Sequence, residues 1–305
     1  MSIKDTIAAQ VIKAGLRVSF KLPSRLPLPV AVLRLAMEQG ALLLKTRKDV
    51  MVEPITIGGV RAERITPKQK NDKIILHLHG GAFFTGSAKT HRALGAEFAV
   101  RAHAMVYMLD YRLAPEHTYP AALDDGLAAY RALLALGYDA HNIVLGGDSS
   151  GCAHILSLVI ALREQGEALP AAMFMISPYV DITLGAESVS SLKYRDPMVT
   201  AHALQRGSDG YRGSISANDS RVSPLFANLH GLPPMLIQVG SQEILLDDAL
   251  RLAEFARAAG VDVDCQIYEG MWHNFQMFNT FITVAGRAID NIAYFAKESC
   301  ATLNA

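Results

Sequence analysis

The sequence predicts an α/β fold, a mostly parallel sheet with helices on both faces. Three observations carry that prediction. From Ile74 onward, short and almost uninterrupted apolar runs alternate with longer helical stretches, the pattern of strands buried on both faces and joined by crossover helices. Hydrophobic residues make up 50% of the 305 and charged residues only 19%, enough to fill a large core and too apolar for a disordered chain. No internal repeat or low-complexity tract breaks the alternation.

The elements follow in order. Ile3, Ile7 and Val11 stand at helical spacing beside Lys4 and Asp5, which predicts an amphipathic helix with a surface to cover. Pro23, Pro27 and Pro29 break the chain before a second helix over Val30 to Leu44. Val50 to Ile57 and Val60 to Ile65 read as two strands turning at Gly58-Gly59. The alternating part runs as strand Ile74 to His79, helix Thr90 to Ala102, strand Ala104 to Asp110 and helix Ala121 to Leu136. It continues as strand Asn142 to Asp148, helix Ser150 to Gln165 and strand Ala171 to Ser177. After an interruption it resumes with strand Met235 to Gly240, helix Leu245 to Ala259, strand Val263 to Tyr268 and helix Phe281 to Glu298. The interruption, Leu184 to Asn228, is rich in Ser, Gly, Asp and Arg and shows no clean strand, so it is a candidate lid over a site at the strand ends.

Lys plus Arg equals Asp plus Glu at 29 each, and the zero total gives no footprint for nucleic acid or anionic lipid. A small neutral ligand fits this balance better than a polyanion. Cys152, Cys265 and Cys300 have the spacing of neither a zinc site nor a disulfide framework and read as free thiols in a reducing compartment. The first twenty residues carry Lys4, Asp5, Lys13 and Arg17 and lack the apolar run of a signal peptide. Leu26 to Leu44 is interrupted by Pro27, Pro29, Arg34 and Glu38, which argues against a membrane span. The expectation is a cytoplasmic protein.

The sharpest motif is Gly147-Asp148-Ser149-Ser150-Gly151, a G-x-S-x-G pentapeptide lying between a predicted strand and a predicted helix. A sharp turn there pushes the Ser149 hydroxyl outward, and the helix start behind it offers partial positive charge to a developing oxyanion. His79-Gly80-Gly81-Ala82-Phe83, directly after another strand, resembles the HGGG-type loop whose backbone N–H groups form an oxyanion hole, with Ala82 in place of the third glycine. A serine nucleophile needs a base and an acid, in the order Ser, acid, His. His273 follows the last strand and fits that order, whereas His202 and His230 lie in the lid or its exit. Three carboxylates follow the strand that ends at Gly240. Glu243 is nearest the strand's end and is favoured, while Asp247 and Asp248 stand about one turn further along.

These landmarks together resemble the hormone-sensitive-lipase-like esterases, bacterial family IV, of the α/β-hydrolase fold. The resemblance rests on His79 to Phe83, Asp110-Tyr111-Arg112-Leu113-Ala114-Pro115-Glu116, the pentapeptide around Ser149, Ser177-Pro178-Tyr179-Val180-Asp181, Ser223-Pro224-Leu225, the Glu243 segment and His273. It implies an α/β-hydrolase core with a helical cap, divided as cap residues 1–45, core 46–183, cap insertion 184–225 and core 226–305. It implies Ser149 as nucleophile, Glu243 as acid and His273 as base, with the N–H groups of Gly80, Gly81 and Ser150 as oxyanion hole. Ser150 stands where the family usually has Ala, and Glu243 where many relatives have Asp.

The implied activity is a serine carboxylesterase acting on short- to medium-chain acyl esters, with no metal or organic cofactor. The same triad would serve a lactone, an amide or an acetylated substrate, and the scaffold also serves as a small-molecule receptor, in which the catalytic His is missing. Phe83, Phe84, Tyr179, Met271 and Trp272 are candidate pocket walls. Asp110, Arg112 and Glu116 read as a polar network supporting the loops, and Cys152 as helix packing. The last strand, Val263 to Tyr268, is expected at the sheet edge, where pairing with a second copy would make a homodimer.

Overall fold

In the computed structural model, which describes residues 3–301, the chain opens with helices α1 (Ile3–Leu16) and α2 (Val30–Ala41). A π turn over Arg17–Lys21 and a 3-10 turn over Pro23–Arg25 join them. The hairpin β1 (Val50–Ile57) and β2 (Val60–Pro67) leads to β3 (Ile74–Leu78), α3 (Ala88–Ala102), β4 (Met105–Leu109) and α4 (Ala121–Ala135). Next come β5 (Ile143–Asp148), α5 (Ser150–Glu164) and β6 (Ala172–Ile176). Helices α6 (Glu187–Ser191) and α7 (Ala201–Arg212) occupy the predicted interruption, and β7 (Met235–Gly240), α8 (Leu246–Ala258), β8 (Val263–Tyr268) and α9 (Thr283–Ala301) complete the chain. Residues 1–2 and 302–305, the outer ends of the expected cap and core segments, lie outside the described residues.

The eight strands form one sheet in the order β1-β2-β4-β3-β5-β6-β7-β8. Every pair from β4 to β8 is parallel, and only β2 runs against the rest, pairing antiparallel with both β1 and β4. The fold is the α/β hydrolase fold. Gly58 and Gly59 turn the first hairpin with φ of +58° and +81°, the left-handed pair that matches strand twist. β5 lies in the middle of the sheet, so whatever follows its C-terminal end is central. β8 lies at the edge, as expected.

Strand residues alternate between two cores. Leu76, Leu145, Met173 and Ile237 pack on the face that receives α5 and α8, while Ile75, Val144, Phe174 and Leu236 face α3 and α9. Both faces are covered, which is why these runs are almost wholly apolar, His77 and Gln238 being buried exceptions. Burying each such side chain contributes about 1.5–3 kcal/mol.

Most boundaries differ from the sequence reading by one or two residues. α3 starts at Ala88 and not at Thr90, because Ser87 accepts from the Thr90 N–H while the Thr90 hydroxyl accepts from Ser87 N–H. α2 stops at Ala41, three residues short of Leu44.

The expected orientation of α1 is overturned. Ile7 and Val11 are 61% and 67% exposed, and the side chain of Ile3 lies outside the described set. The covered face carries Asp5, Ala9, Lys13 and Leu16. The buried polar groups are satisfied: Asp5 Oδ1 accepts from Thr283 N–H, and Lys13 Nζ donates to Gln242 Oε1 and the Gly270 carbonyl. Specific hydrogen bonds, not apolar periodicity, set this helix's roll. Among the described residues no helix is long and apolar enough to cross a membrane.

Candidate active site

Ser149 stands at the tip of β5 with φ +53° and ψ −123°, a conformation that side chains rarely adopt and that costs of order 1–3 kcal/mol. Its N–H donates to the Ile176 carbonyl at 2.8 Å, and its carbonyl accepts from Tyr179 and Cys152 N–H, both at 3.1 Å. The strain is thus locked between β5 and β6. The two glycines have steric reasons. A Cβ on Gly151 would lie 2.0 Å from the Leu78 carbonyl oxygen, and one on Gly147 would lie 2.8 Å from the Gly151 backbone. Ser150 opens α5, so its N–H is one of the unpaired donors of a helix start.

Glu243 and His273 leave the ends of β7 and β8, and both are buried. His273 Nδ1 and Glu243 Oε2 are 3.0 Å apart. A carboxylate only accepts, so the proton sits on Nδ1 and Nε2 is the basic nitrogen. The other oxygen of Glu243 accepts from Gly240 N–H at 2.6 Å and from the Ser177 hydroxyl at 2.8 Å. Burial pushes the His273 pKa down, but the hydrogen bond and charge of Glu243, helped by Asp196 and Asp148, more than offset this and leave it raised. The rival carboxylates are engaged elsewhere. Asp247 Oδ2 accepts from Ser188 N–H at the start of α6, and Asp248 Oδ2 from the N–H groups of Val180 and Asp181.

The loop after β3 departs from expectation at Gly80. Its N–H donates to Asp148 Oδ1 at 3.1 Å and is therefore not free for an oxyanion. The N–H groups of Gly81, Ala82 and Ser150 have no partner among the described residues. Ala82 and Phe83 have φ of +51° and +71°, and the Phe83 N–H donates to the Ser150 hydroxyl. The hydroxyl that replaces the family's Ala methyl thus fastens this loop to the elbow.

Asp148 is a hub that sequence reasoning missed. Fully buried, it accepts from Gly80 N–H, Asn274 Nδ2 at 2.7 Å, His77 Nε2 at 3.0 Å and His91 Nε2 at 3.2 Å. Burial raises its pKa, yet His91 and His77 prevail and hold the carboxyl well below its usual range. The residue before Ser149 is therefore bonded to the residue after His273, and the two loops are stitched together. Ser177 hydroxyl joins the same web, accepting from Asn274 N–H while donating to Glu243. Asp196, between α6 and α7, accepts from Ile244 N–H beside Glu243. Adjacency to Ser149 and His273 was the available signal for Asp148 and Asn274; Asp196 left none.

The candidate pocket residues divide. Phe83 stacks on Tyr211 of α7 with centroids 4.2 Å apart, and Tyr179 lies 5.4 Å from Phe83. Phe84 lies under Arg206 of α7. Met271 and Trp272, in contrast, are core: they are fully buried with Ala9, Leu16, Phe275 and Ile282 beneath α1. The expected Asp110, Arg112 and Glu116 network is also corrected. Asp110 accepts from Ala88 N–H, Arg112 pairs with Asp125 and Glu116 with Arg34, so the three support separate junctions. Cys152 donates to the Ile176 carbonyl, and burial pushes its thiol well up, as packing requires. Ser149 and His273 are only 4% and 3% exposed. A surface hollow lined by Asp181, Glu187, Asp247 and Arg251 among others does not include Ser149.

With this geometry in view, the profile of the α/β-hydrolase-fold family matches residues 75–277. An esterase of Acinetobacter venetianus is 43% identical over 284 residues, covering 93% of this chain and 94% of that protein. The solved structure of EstE5 soaked with p-nitrophenyl butyrate superposes with a TM-score of 0.92 at 36% identity, over 96% of this chain and 99% of its own. The structure of an esterase from the bacterial hormone-sensitive lipase family gives the same TM-score and identity over 98% and 99%.

Proposed function

This chain belongs to the hormone-sensitive-lipase-like esterases of the α/β-hydrolase fold and is a carboxylic ester hydrolase, and on that premise we propose Ser149, Glu243 and His273 as its nucleophile, acid and base. The observation that carries the assignment is the 3.0 Å bond between His273 Nδ1 and Glu243 on loops stitched to the strained elbow of Ser149. His273 Nε2 takes the Ser149 proton as the hydroxyl attacks the ester carbonyl, and Glu243 stabilises the imidazolium that forms. The N–H groups of Gly81, Ala82 and Ser150 receive the oxyanion, each fixed before the reaction begins. His273 then protonates the leaving alcohol, and water releases the acyl group by the same steps in reverse.

We read residues 1–45 and 184–225 as a two-part cap over a core of 46–183 and 226–305. Supporting this, the Arg206 guanidinium donates to the Leu28 carbonyl at 2.7 Å, Ser24 and Thr200 hydroxyls lie 3.0 Å apart, and Lys21 Nζ donates to the Lys193 and Asp196 carbonyls. The near-complete burial of Ser149 supports a cap that shifts to admit substrate. The aromatic crowding of Phe83, Tyr179 and Tyr211 favours short- to medium-chain acyl groups. A homodimer across the β8 edge completes the reading, with sedimentation at monomer mass alone as the contrary result.

The test is covalent labelling by a fluorophosphonate, with turnover of nitrophenyl acetate through hexanoate. Wild type should label and hydrolyse, and Ser149→Ala should do neither. Labelling that survives in Ser149→Ala would overturn the nucleophile. Faster cleavage of long-chain triglyceride than of the butyrate ester would overturn the chain-length reading.

A further inference from the structure

The zero total charge conceals a strong asymmetry. Residues 1–45 hold seven Lys and Arg against two Asp and Glu, a net of plus five that the remaining chain balances with minus five. The same segment carries a dense set of exposed large apolar side chains. On α1, Ile7 and Val11 are four residues apart and Val18 seven further, with exposed Ala14 between, so they form one stripe along the helix and its π-turn extension. Exposed Lys4 and Arg17 flank that stripe on its two sides. Leu35 and Leu43, beyond it on and after α2, are 59% and 79% exposed, and exposed Lys45 and Lys48 follow. The roll of α1 is not free to hide these residues, because Lys13 and Asp5 on the opposite face are bonded to Gln242, Gly270 and Thr283.

We propose that this face of the N-terminal segment docks on an anionic phospholipid surface. An apolar stripe bordered by cations is the chemistry of a helix lying in the plane of a membrane, its aliphatic residues among the acyl chains and its Lys and Arg among the phosphates. Charge decides against a second copy as the occupant. An isologous contact through this face would set Lys4 and Arg17 of one copy against the same two cations of the other, with no carboxylate on the stripe to offset them. Anionic headgroups neutralise the same charges. The opposite face of the same helix grips the loops that carry the site, since Lys13 holds Gln242 beside Glu243 and Gly270 three residues before His273. Resting on the ester-hydrolase reading only for this last consequence, the cap would be displaced at the surface where amphiphilic esters reside.

The experiment is co-sedimentation of the whole chain with vesicles of phosphatidylcholine alone and with about a quarter phosphatidylglycerol, at low and high salt. Wild type should pellet with the anionic vesicles at low salt and be released at high salt. Lys4→Gln and Arg17→Gln should each weaken binding about fivefold, and Val11→Asp should abolish it. All three should hydrolyse a soluble nitrophenyl ester at the wild-type rate, which shows that they are folded. Failure of wild type to pellet, or equal pelleting with uncharged vesicles, would overturn the proposal while leaving the hydrolase reading intact. A lipid-free dimer dissolved by Val11→Asp would likewise overturn it in favour of a second copy. Binding without any hydrolysis of soluble esters would instead overturn the hydrolase reading.

Discussion

The contact between α7 and the loop after β3 makes Gly207→Ala a decisive substitution. A Cβ at Gly207 would lie 1.9 Å from the Ala82 carbonyl oxygen and 2.7 Å from the Phe84 ring, whereas ordinary contact begins at 3.4 Å. Helix and loop must therefore separate by about 1.5 Å. The displaced loop holds the N–H groups of Gly81 and Ala82, and a misplacement of about 1 Å at such a site costs on the order of 100-fold in rate, about 2.7 kcal/mol. Loss of one oxyanion donor has a similar cost, of order 100- to 1000-fold. Stability should not follow activity downward by the same measure, because Gly to Ala inside a helix contributes about 1 kcal/mol in its favour. The assay is kcat/KM on nitrophenyl butyrate together with urea unfolding. Gly210→Ala, on the same helix, is the control: its Cβ would meet Pro115 at an unstrained 3.5 Å, so it should keep full activity. A folded Gly207→Ala enzyme within about threefold of wild type would refute the argument that cap position sets the oxyanion loop.

Glu243→Gln removes the group that keeps the His273 pKa raised against burial, so the acid limb of the kcat/KM profile should move down from above 6.5 while kcat falls about 10⁴-fold. An unshifted limb would sink the claim that Glu243 sets the basicity of His273. His154 is buried edge-on to Phe83, Tyr111 and Tyr211 with neither ring nitrogen bonded, and burial lowers its pKa from 6.5 to about 3. The unfolded chain therefore takes a proton below 6.5 that the native state refuses. Stability is lost as pH falls from 6.5 towards 3, by about 1.4 kcal/mol per unit. Relative to wild type, His154→Leu should gain about 2 kcal/mol between pH 6.5 and 4.5 in urea melts; an equal difference at both pH values would contradict it.

Chemistry was legible in the sequence where one residue type is the only solution to a local problem. Ser149 lies in such a place, because the close approach of Leu78 to Gly151 leaves no other residue there. Strands β5 to β7 were legible because both faces are dry. Glu243 was singled out by its position after β7, and its bond to His273 together with the engagement of Asp247 and Asp248 elsewhere separates it from its neighbours. What could not be read was anything set by partners distant in sequence. The roll of α1 depends on Gln242, Gly270 and Thr283, and the fate of the Gly80 N–H depends on Asp148. Trp272 adjoins the base in sequence, yet its ring points into a separate core beneath α1. Helix α7 went unseen because its polar residues, Gln205 to Arg212, read as loop until Leu204, Gly207 and Tyr211 find a surface to cover.

The convergence of four donors on Asp148 bears on how the site comes apart. Those donors belong to the loop after β3, to helix α3, to β3 itself and to the loop after β8, so no one of these segments can open without stranding a buried anion. The site should therefore unfold as a single cooperative unit, and the amides of Gly80, Asn274 and Ser149 should exchange with solvent only at the rate of that concerted opening. Loops that usually fray independently are here tied to the slowest event in the molecule. None of the four donors on Asp148 belongs to residues 1–45 or 184–225, which we read as the cap, so their opening is expected to precede that event.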